Sequence, residues 1–407
     1  MGLLKNVWKH ITGTKALDDA NQYERYFFDT LYRVTYATGL SAADQTVPYK
    51  IYRNLVTVMI AGIILGEIWF AYSDTRTIDE LVSALNVILI HLMNSDHKDI
   101  YKQLSTCMDS AFAFKTTRER QRLAEYWKQI HEGEIKWLLS LGNCSLIAWH
   151  LYPLLDEIDH NLMIGVHLPF RYDSPLAYSI TFLIVGISFY YISHFCMVID
   201  IILKAHFLPL VCQMTILADC FENIIPECSE GFEGIPMNEL IKNNEFTSRY
   251  LKKLGNLVKQ HDIILKHATD LRSIQSGPML AQMVSSGTLI CLVGFQATTA
   301  VVEDTTKFLM SLFYLGYNMY GLYTLCRWCE EVTTQSGNIG KAVFGSGWES
   351  GISTLPGVRA TIMLIIKRTN KPLVFTASGL FEISLKSYNL VKTSYSALTV
   401  LLGMRND

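Results

Sequence analysis

Apolar runs alternate with long polar segments over the whole chain. Residues 55–71 (LVTVMIAGIILGEIWFA) form the cleanest run, with one acid, Glu67, near its far end. Residues 81–93 form a shorter run that carries His91 and reaches 77–95 with its flanks. Residues 137–155, 178–203, 279–302 and 308–328 follow, and residues 381–404 come last. With their flanks these runs are close to the roughly 20 residues a helix needs to cross the hydrocarbon core of a bilayer. Helices are the expected form, because the backbone must satisfy its own hydrogen bonds in lipid. No alternating ten-residue pattern points to a β-barrel. The pattern therefore predicts an all-α membrane protein with seven transmembrane helices. The polar stretch 204–270 separates the fourth run from the fifth, and a mixed stretch separates the sixth from the last. Residues 250–265 alternate apolar and charged side chains at helical spacing. The stretches 204–278 and 326–380 are thus expected to continue as helices outside the bilayer.

Composition agrees with this solvent. Of 407 residues 50% are apolar and 18% charged, against roughly 25% charged in a soluble domain. Mean hydropathy is +0.21. The chain is too apolar to be disordered. At net charge −2 it has no basic excess to attract nucleic acid. Residues 1–50 are polar and mixed, without the apolar core and cleavage site of a signal peptide, so the first span is expected to act as its own insertion signal.

Charge changes the picture more than composition does. With the N-terminus inside, the cytoplasmic segments hold 26 Lys and Arg and the outer segments hold four: Arg76, Arg171, Lys307 and Arg405. Such sorting predicts a cytoplasmic N-terminus and, with seven spans, an extracellular C-terminus. G-protein-coupled receptors have the opposite orientation, and the chain lacks their Asp-Arg-Tyr and Asn-Pro-x-x-Tyr signatures.

No enzyme motif is present: no phosphate loop, no His-Glu-x-x-His, no Gly-x-Ser-x-Gly. No cofactor is expected. The nine cysteines follow no regular spacing and read as free thiols. Cys326 and Cys329 lack the further ligands that a zinc site needs, and none of the 11 histidines reads as a metal ligand. The scarcity of acids in mid-bilayer and the lack of an internal repeat weaken a transporter reading.

Two constellations remain. On the last span Glu382, Lys386, Asn389, Thr393, Ser396 and Val400 recur at alternating steps of four and three, which places them on one helical face. That face is polar for about four turns and then apolar. It reads either as a water-lined pore with an apolar constriction or as a set of interhelical hydrogen bonds. Glu382 and Lys386 are also spaced to neutralise each other on one helix. A pore would need several copies about an axis. The second constellation is aromatic: Ser145, Ala148 and Tyr152 on the third span, Tyr178, Phe182 and Phe189 on the fourth, and Phe313, Tyr314 and Tyr317 on the sixth. Most fall in the outer half of the membrane. They read either as the wall of a pocket for a small apolar molecule or as plain packing and an interfacial belt. His91, Trp149 and His150 read more simply as packing or hydrogen-bonded residues than as ligand contacts.

The C-terminal third carries an ordered set of short motifs. These are Gly347-Trp348, Leu355-Pro356, Arg359, the apolar run 362–366, Arg368, Pro372-Leu373, Thr376-Ala377-Ser378-Gly379, Phe381 and Ser394-Tyr395. The stretch 167–173 (HLPFRYD) leading to Tyr178 has the same flavour. With seven spans and an inside N-terminus, the set resembles the insect odorant receptor family. The resemblance spans the full length in topology and about the last 70 residues in motif. It implies a single seven-helix domain: a cytoplasmic region 1–50, spans one to six within 51–328, a cytoplasmic anchor 329–380 and a pore-lining helix 381–404. It implies an odorant-gated, non-selective cation channel of four subunits, in the plasma membrane of olfactory sensory neurons. Small volatile ligands would sit among the aromatic set in the outer half of the bundle. The polar stripe would line the cation path, with Val400 and, one turn later, Met404 as gate. The partner would be a co-receptor subunit with a longer insertion between spans four and five, so this chain resembles an odour-tuning subunit in a heterotetramer. Lys386 departs from a cation-conducting stripe. A metabotropic receptor and a gustatory-type channel of the same architecture are the alternative readings.

Overall fold

The structure, a computed structural model, describes residues 12–41, 44–73, 114–155, 162–164, 168, 170–303 and 305–394. The expected second span, with His91, and the residues Ser396, Val400 and Met404 lie outside the described residues. The main helices are α1 (Gln22–Ala37), α2 (Val47–Ser73), α3 (Arg118–Leu155), α4 (Pro175–Lys204), α5 (Phe207–Glu222), α6 (Asn244–Glu303), α7 (Thr305–Phe344) and α8 (Val358–Thr369). A small antiparallel hairpin, β1 (Thr376–Ala377) with β2 (Phe381–Glu382), precedes a last helix α9, described over residues 385–394.

Five expected spans fall inside α2, α3, α4, α6 and α7. The helices are longer than the apolar runs, as the helical spacing of the polar stretches predicts. At 60 residues α6 is about 90 Å long, three times what the hydrocarbon core requires. The apolar runs expose large side chains: Val58, Leu65 and Trp69 on α2, and Leu176, Leu183, Ile184 and Ile187 on α4. Water would penalise such continuous apolar faces, and lipid does not. Among the described residues, one run, 175–222, is long and apolar enough by composition alone to cross a bilayer.

The main core lies at the other end of the molecule, the base. Here α3, α6 and α7 pack around α5. Phe207, Val211, Met214, Leu217 and Phe221 of α5 are all buried, against Tyr250, Leu257 and Ile264 of α6 and Trp328, Val332 and Ile339 of α7. This corrects the reading of 204–270 as one polar stretch. Residues 207–221 are apolar and buried on nearly all sides, with Asp219 on the half-buried one, and a short run of this kind is typical of a buried core helix rather than a span. Trp328 Nε1 donates to Glu134 Oε2 at 2.6 Å, and its ring meets Trp127 edge-on at 6.2 Å. Cys326 and Cys329 are free and buried in this core. Gly340 lets α8 approach α7, because a Cβ there would collide with Thr369.

Polar contacts close the base. Arg120, 3% exposed, donates from Nε to Asp219 at 2.5 Å and from Nη2 to Glu227, which also pairs with Lys253. The cluster ties α3, α5, α6 and the short helix Ile224–Cys228 together. Such a buried guanidinium is tolerated because both acids neutralise it. The N-terminal α1 starts with a capping box between Asn21 and Glu24. Its buried stripe of Tyr23, Phe27, Phe28 and Leu31 docks on the base. Phe28 lies 5.1 Å from the His206 ring and 6.3 Å from His131, and His206 lies 6.1 Å from His267.

The hairpin overturns one expectation. Ser378 and Gly379 adopt left-handed φ values of 50° and 73°, which turn the chain back so that Thr376 pairs with Glu382. Ile383 N then donates to Phe375 O at 2.9 Å. Glu382 therefore stands in a strand, and the last helix begins at Leu385 rather than Phe381. Glu382 and Lys386 are not one turn apart on a helix, so the expected helical pair between them does not form.

The buried histidines predict an acid response. Burial pushes the His131 imidazole down to about 4 and the His261 imidazole to about 4, the latter lowered further by Arg368 and raised by Asp262. Burial, with His267 and His131 beside it, pushes His206 to about 3. Unfolded histidine titrates near 6.5. The unfolded chain therefore binds more protons over the interval between, and stability is full above about pH 6.5 and falls as pH drops toward the folded values. Thermal unfolding of the purified receptor should show a midpoint that declines steadily from pH 6.5 to pH 4. The His131→Leu/His206→Leu variant should show a shallower slope.

Candidate functional site

The aromatic set sits where α3, α4 and the outer part of α7 meet. The α3–α4 approach depends on Gly142 of α3, where a Cβ would collide with the Met197 side chain of α4. The His150 ring bridges two carbonyls, 2.7 Å from Leu146 O on its own helix and 3.2 Å from Gly186 O on α4. It acts as packing, as the sequence suggests. Ser174 caps α4 through the Ala177 N–H, with Pro175 in the first turn. That start fixes the register of Tyr178, Phe182 and Phe189 on one side of the helix.

A small apolar cluster follows from this. Leu162, Met163, Ile164 and Val185 are buried, with Trp149, Leu168, Tyr172, Tyr178, Phe182 and Phe189 packed against them. Tyr178 and Phe182 rings lie 5.9 Å apart. Trp149 is the hinge of the group, tilted on Phe189 at 5.6 Å and edge-on to Tyr314 at 6.2 Å. Ser145 is buried, and Ala148 and Tyr152 are half-buried on the same side of α3.

Not every expected residue joins. Phe313 is 40% exposed and points away, because consecutive helical residues cannot share one face. Tyr317 lies a turn inward from Tyr314, where its hydroxyl donates to Asp200 Oδ2 at 2.8 Å. Trp149, which the sequence reads as a packing residue, also belongs to this cluster. Its position follows Ser145 by four and precedes Tyr152 by three, so the helical period already placed it on their face. Met163 had no such signal, because it lies outside the apolar runs. Rings, a thioether and a few hydroxyls suit a small, mostly apolar molecule with one polar group.

The second constellation is also ordered by its helix. Lys386, Asn389 and Thr393 are exposed on one side of α9, whereas Leu385, Tyr388 and Val391 pack on the core. Thr393 Oγ1 donates to Asn389 O at 2.5 Å, one turn back. Leu390, 69% exposed, lies beside the polar stripe. Helix α9 thus turns its polar side away from its own subunit.

The aromatic cluster between α3, α4 and α7 and the outward polar side of α9 are the two features this fold presents. Residues 69–395 match the family model described as 7tm Odorant receptor. The chain belongs to the odorant receptor family. It is similar to Odorant receptor 83a of Drosophila melanogaster, with 22% identity over 406 residues, 88% of this chain and 87% of that one. Odorant receptor 13a of the same fly matches at 28% over 169 residues, 39% of this chain and 40% of that one. The solved structure of the insect olfactory receptor OR5 from Machilis hrabei shares the fold. Its TM-score is 0.70 at 15% identity, over 94% of this chain and 99% of that one. The structure of that receptor in complex with eugenol gives 0.67 at 14% identity, over 94% and 100%. The chain is accordingly a transmembrane receptor of olfaction, in a family of receptors and channels rather than enzymes.

The aromatic cluster and the outlying Phe313 separate pocket from packing. An aromatic pair contributes about 0.5–1.5 kcal/mol beyond its buried area, equivalent to roughly a twofold to tenfold change in half-maximal ligand concentration. Trp149→Ala and Phe189→Ala should shift odorant sensitivity by at least that much at unchanged surface expression. Phe313→Ala should leave sensitivity within twofold. Dose–response curves from receptor-expressing cells check both.

Proposed function

We propose that this chain is the odour-tuning subunit of a ligand-gated, non-selective cation channel. It spans the membrane seven times, with a cytoplasmic N-terminus and an extracellular C-terminus, as one domain whose anchor is residues 329–380. It assembles with a co-receptor subunit into a heterotetramer in the plasma membrane of olfactory sensory neurons. The 26-to-4 sorting of Lys and Arg supports the orientation. The family's members bind odorants and act with a co-receptor, and the eugenol complex of the Machilis receptor supports a small volatile ligand here. The residues proposed to form the ligand site are Ser145, Ala148, Trp149, Tyr152, Tyr178, Phe182, Phe189 and Tyr314.

The observation that carries the channel reading is the exposed polar side of α9. A helix that packs Leu385, Tyr388 and Val391 on its own subunit and turns Lys386, Asn389 and Thr393 outward is built to face an axis shared by several subunits. The exposed Leu390 beside that stripe has the character of a subunit contact. Ser396, Val400 and Met404, outside the described residues, are assigned to the same path by their spacing in the sequence alone, with Val400 and Met404 as the apolar gate. Lys386 at the inner mouth is a fixed cation. Acids of a co-receptor subunit offset it.

Co-expression with a co-receptor, followed by current recording during exposure to a broad panel of volatiles, tests this reading. At least one volatile should evoke an inward cation current that neither subunit gives alone. Silence across the panel with both subunits at the surface contradicts the channel reading. An epitope placed before Met1 and reached from outside intact cells contradicts the orientation and favours a metabotropic receptor.

A further inference from the structure

One continuous helix connects the aromatic cluster with the start of the last helix. On α7, Tyr314 meets Trp149. Further inward Tyr323 meets Tyr388 of α9 edge-on at 5.5 Å. Two turns beyond that, Glu330 Oε2 accepts the Leu385 N–H at 2.8 Å. Tyr314 and Glu330 are sixteen residues apart, about 24 Å along an α-helix. The same helix carries Thr333, whose hydroxyl reaches Leu373 O at 2.7 Å.

The Leu385 contact has a specific physical meaning. The first N–H groups of a helix have no acceptor within it and usually take one from the residue just before. Here the acceptor comes from another helix, 55 residues earlier in sequence. It is a carboxylate, which makes a stronger bond than a neutral acceptor and complements the positive end of the helix dipole. A local cap would fix only where the helix begins. A cap supplied by α7 also fixes where that beginning stands relative to α7. The hairpin before it is held from the other side by α6: Ser276 Oγ donates to Thr376 O at 3.1 Å and Ser276 O accepts from Ser378 N at 3.1 Å. The Ser276 contacts belong to α6, whereas the Glu330 bond belongs to the helix bearing Tyr314 and is the one that α7 makes to the backbone at the start of α9.

We infer that Glu330 is a positioning residue: by accepting the Leu385 N–H it fastens the start of the pore helix to α7, and so passes movement at the odorant site to the pore. The inference rests on the reading of α9 as pore-lining, and adds to it the residue through which α7 acts.

Glu330→Ala removes the acceptor. Glu330→Gln keeps an acceptor oxygen at the same reach. Leu385→Pro removes the donor at a position where a helix tolerates proline, with Leu385→Ala as the control for its side chain. Two readouts are taken on the full chain assembled with the co-receptor. Hydrogen exchange of residues 385–388 reports the cap without any ligand. Losing the bond should speed exchange of these amides about tenfold, the equivalent of roughly 1.4 kcal/mol. Maximal odorant-evoked current per surface receptor reports coupling, and should fall at least fivefold in Glu330→Ala and Leu385→Pro. Glu330→Gln and Leu385→Ala should stay within twofold of wild type in current. The Glu330→Ala/Leu385→Pro double variant should be no worse than either single, because donor and acceptor form one bond.

Unchanged exchange in Glu330→Ala overturns the cap. Faster exchange with unchanged maximal current overturns the coupling. Equal loss in Glu330→Gln and Glu330→Ala overturns the bond as its cause. If the wild-type assembly gives no current at all, the pore reading fails and the coupling with it. Exchange at 385–388 still decides whether Glu330 holds the helix.

Discussion

The burial of α5 is the constraint on which the rest of the structure depends. A helix that is apolar on nearly all sides must be covered on nearly all sides, and α3, α6 and α7 supply that cover. Each of the three also carries an apolar run that belongs to the membrane. In lipid no backbone group can be left without a partner, so each helix continues unbroken from one environment into the other. The result is a molecule whose outer end is loosely clustered aromatic side chains and whose base is a dense, closed core.

That division sets what each end can do. At the base, Trp328 is fixed by Glu134 and Trp127, and Arg120 binds three elements through two acids. Interiors packed to this degree transmit displacement rather than absorb it. At the outer end Trp149 meets Phe189 at a tilt and Tyr314 edge-on, and Gly142 lets α3 close up on Met197 of α4. Ring contacts of this kind can be exchanged for contacts with a ligand of similar character at small cost. Helix α7 belongs to both ends, and the last helix is attached to its lower half.

Much of this was legible in the sequence, for reasons that can be named. The helices over 55–71, 137–155, 178–203, 279–302 and 308–328 were readable because a long apolar run expected in lipid must be helical. That Lys386, Asn389 and Thr393 share one face was readable from a spacing of three and four; which way that face turns was not. The aromatic face of α3 was readable too, and the period that picked Ser145 and Tyr152 also picked Trp149. What was not legible depended on contacts distant in sequence or on local backbone geometry. Residues 207–221 looked like part of a polar segment because Lys204 and His206 precede them and the acids 219 and 222 close them. The hairpin that removes Glu382 from the last helix hangs on left-handed φ values at Ser378 and Gly379. Phe313 was grouped with its neighbour Tyr314 by type, although adjacent helical positions diverge. Glu330 carries no mark in the sequence, because its partner is a backbone N–H 55 residues away.

The central claim is that the polar side of α9 faces a water-filled path that ligand opens. Single cysteines at Asn389 and Thr393, exposed to a charged, membrane-impermeant thiol reagent during current recording, test it most directly. The account predicts that both sites react, that reaction is faster in the presence of an activating odorant, and that it changes the current. A cysteine at Ile184, on the exposed apolar side of α4, should stay inert under the same conditions. Reaction at Ile184 with none at Asn389 or Thr393, while odorant still evokes current, would contradict it.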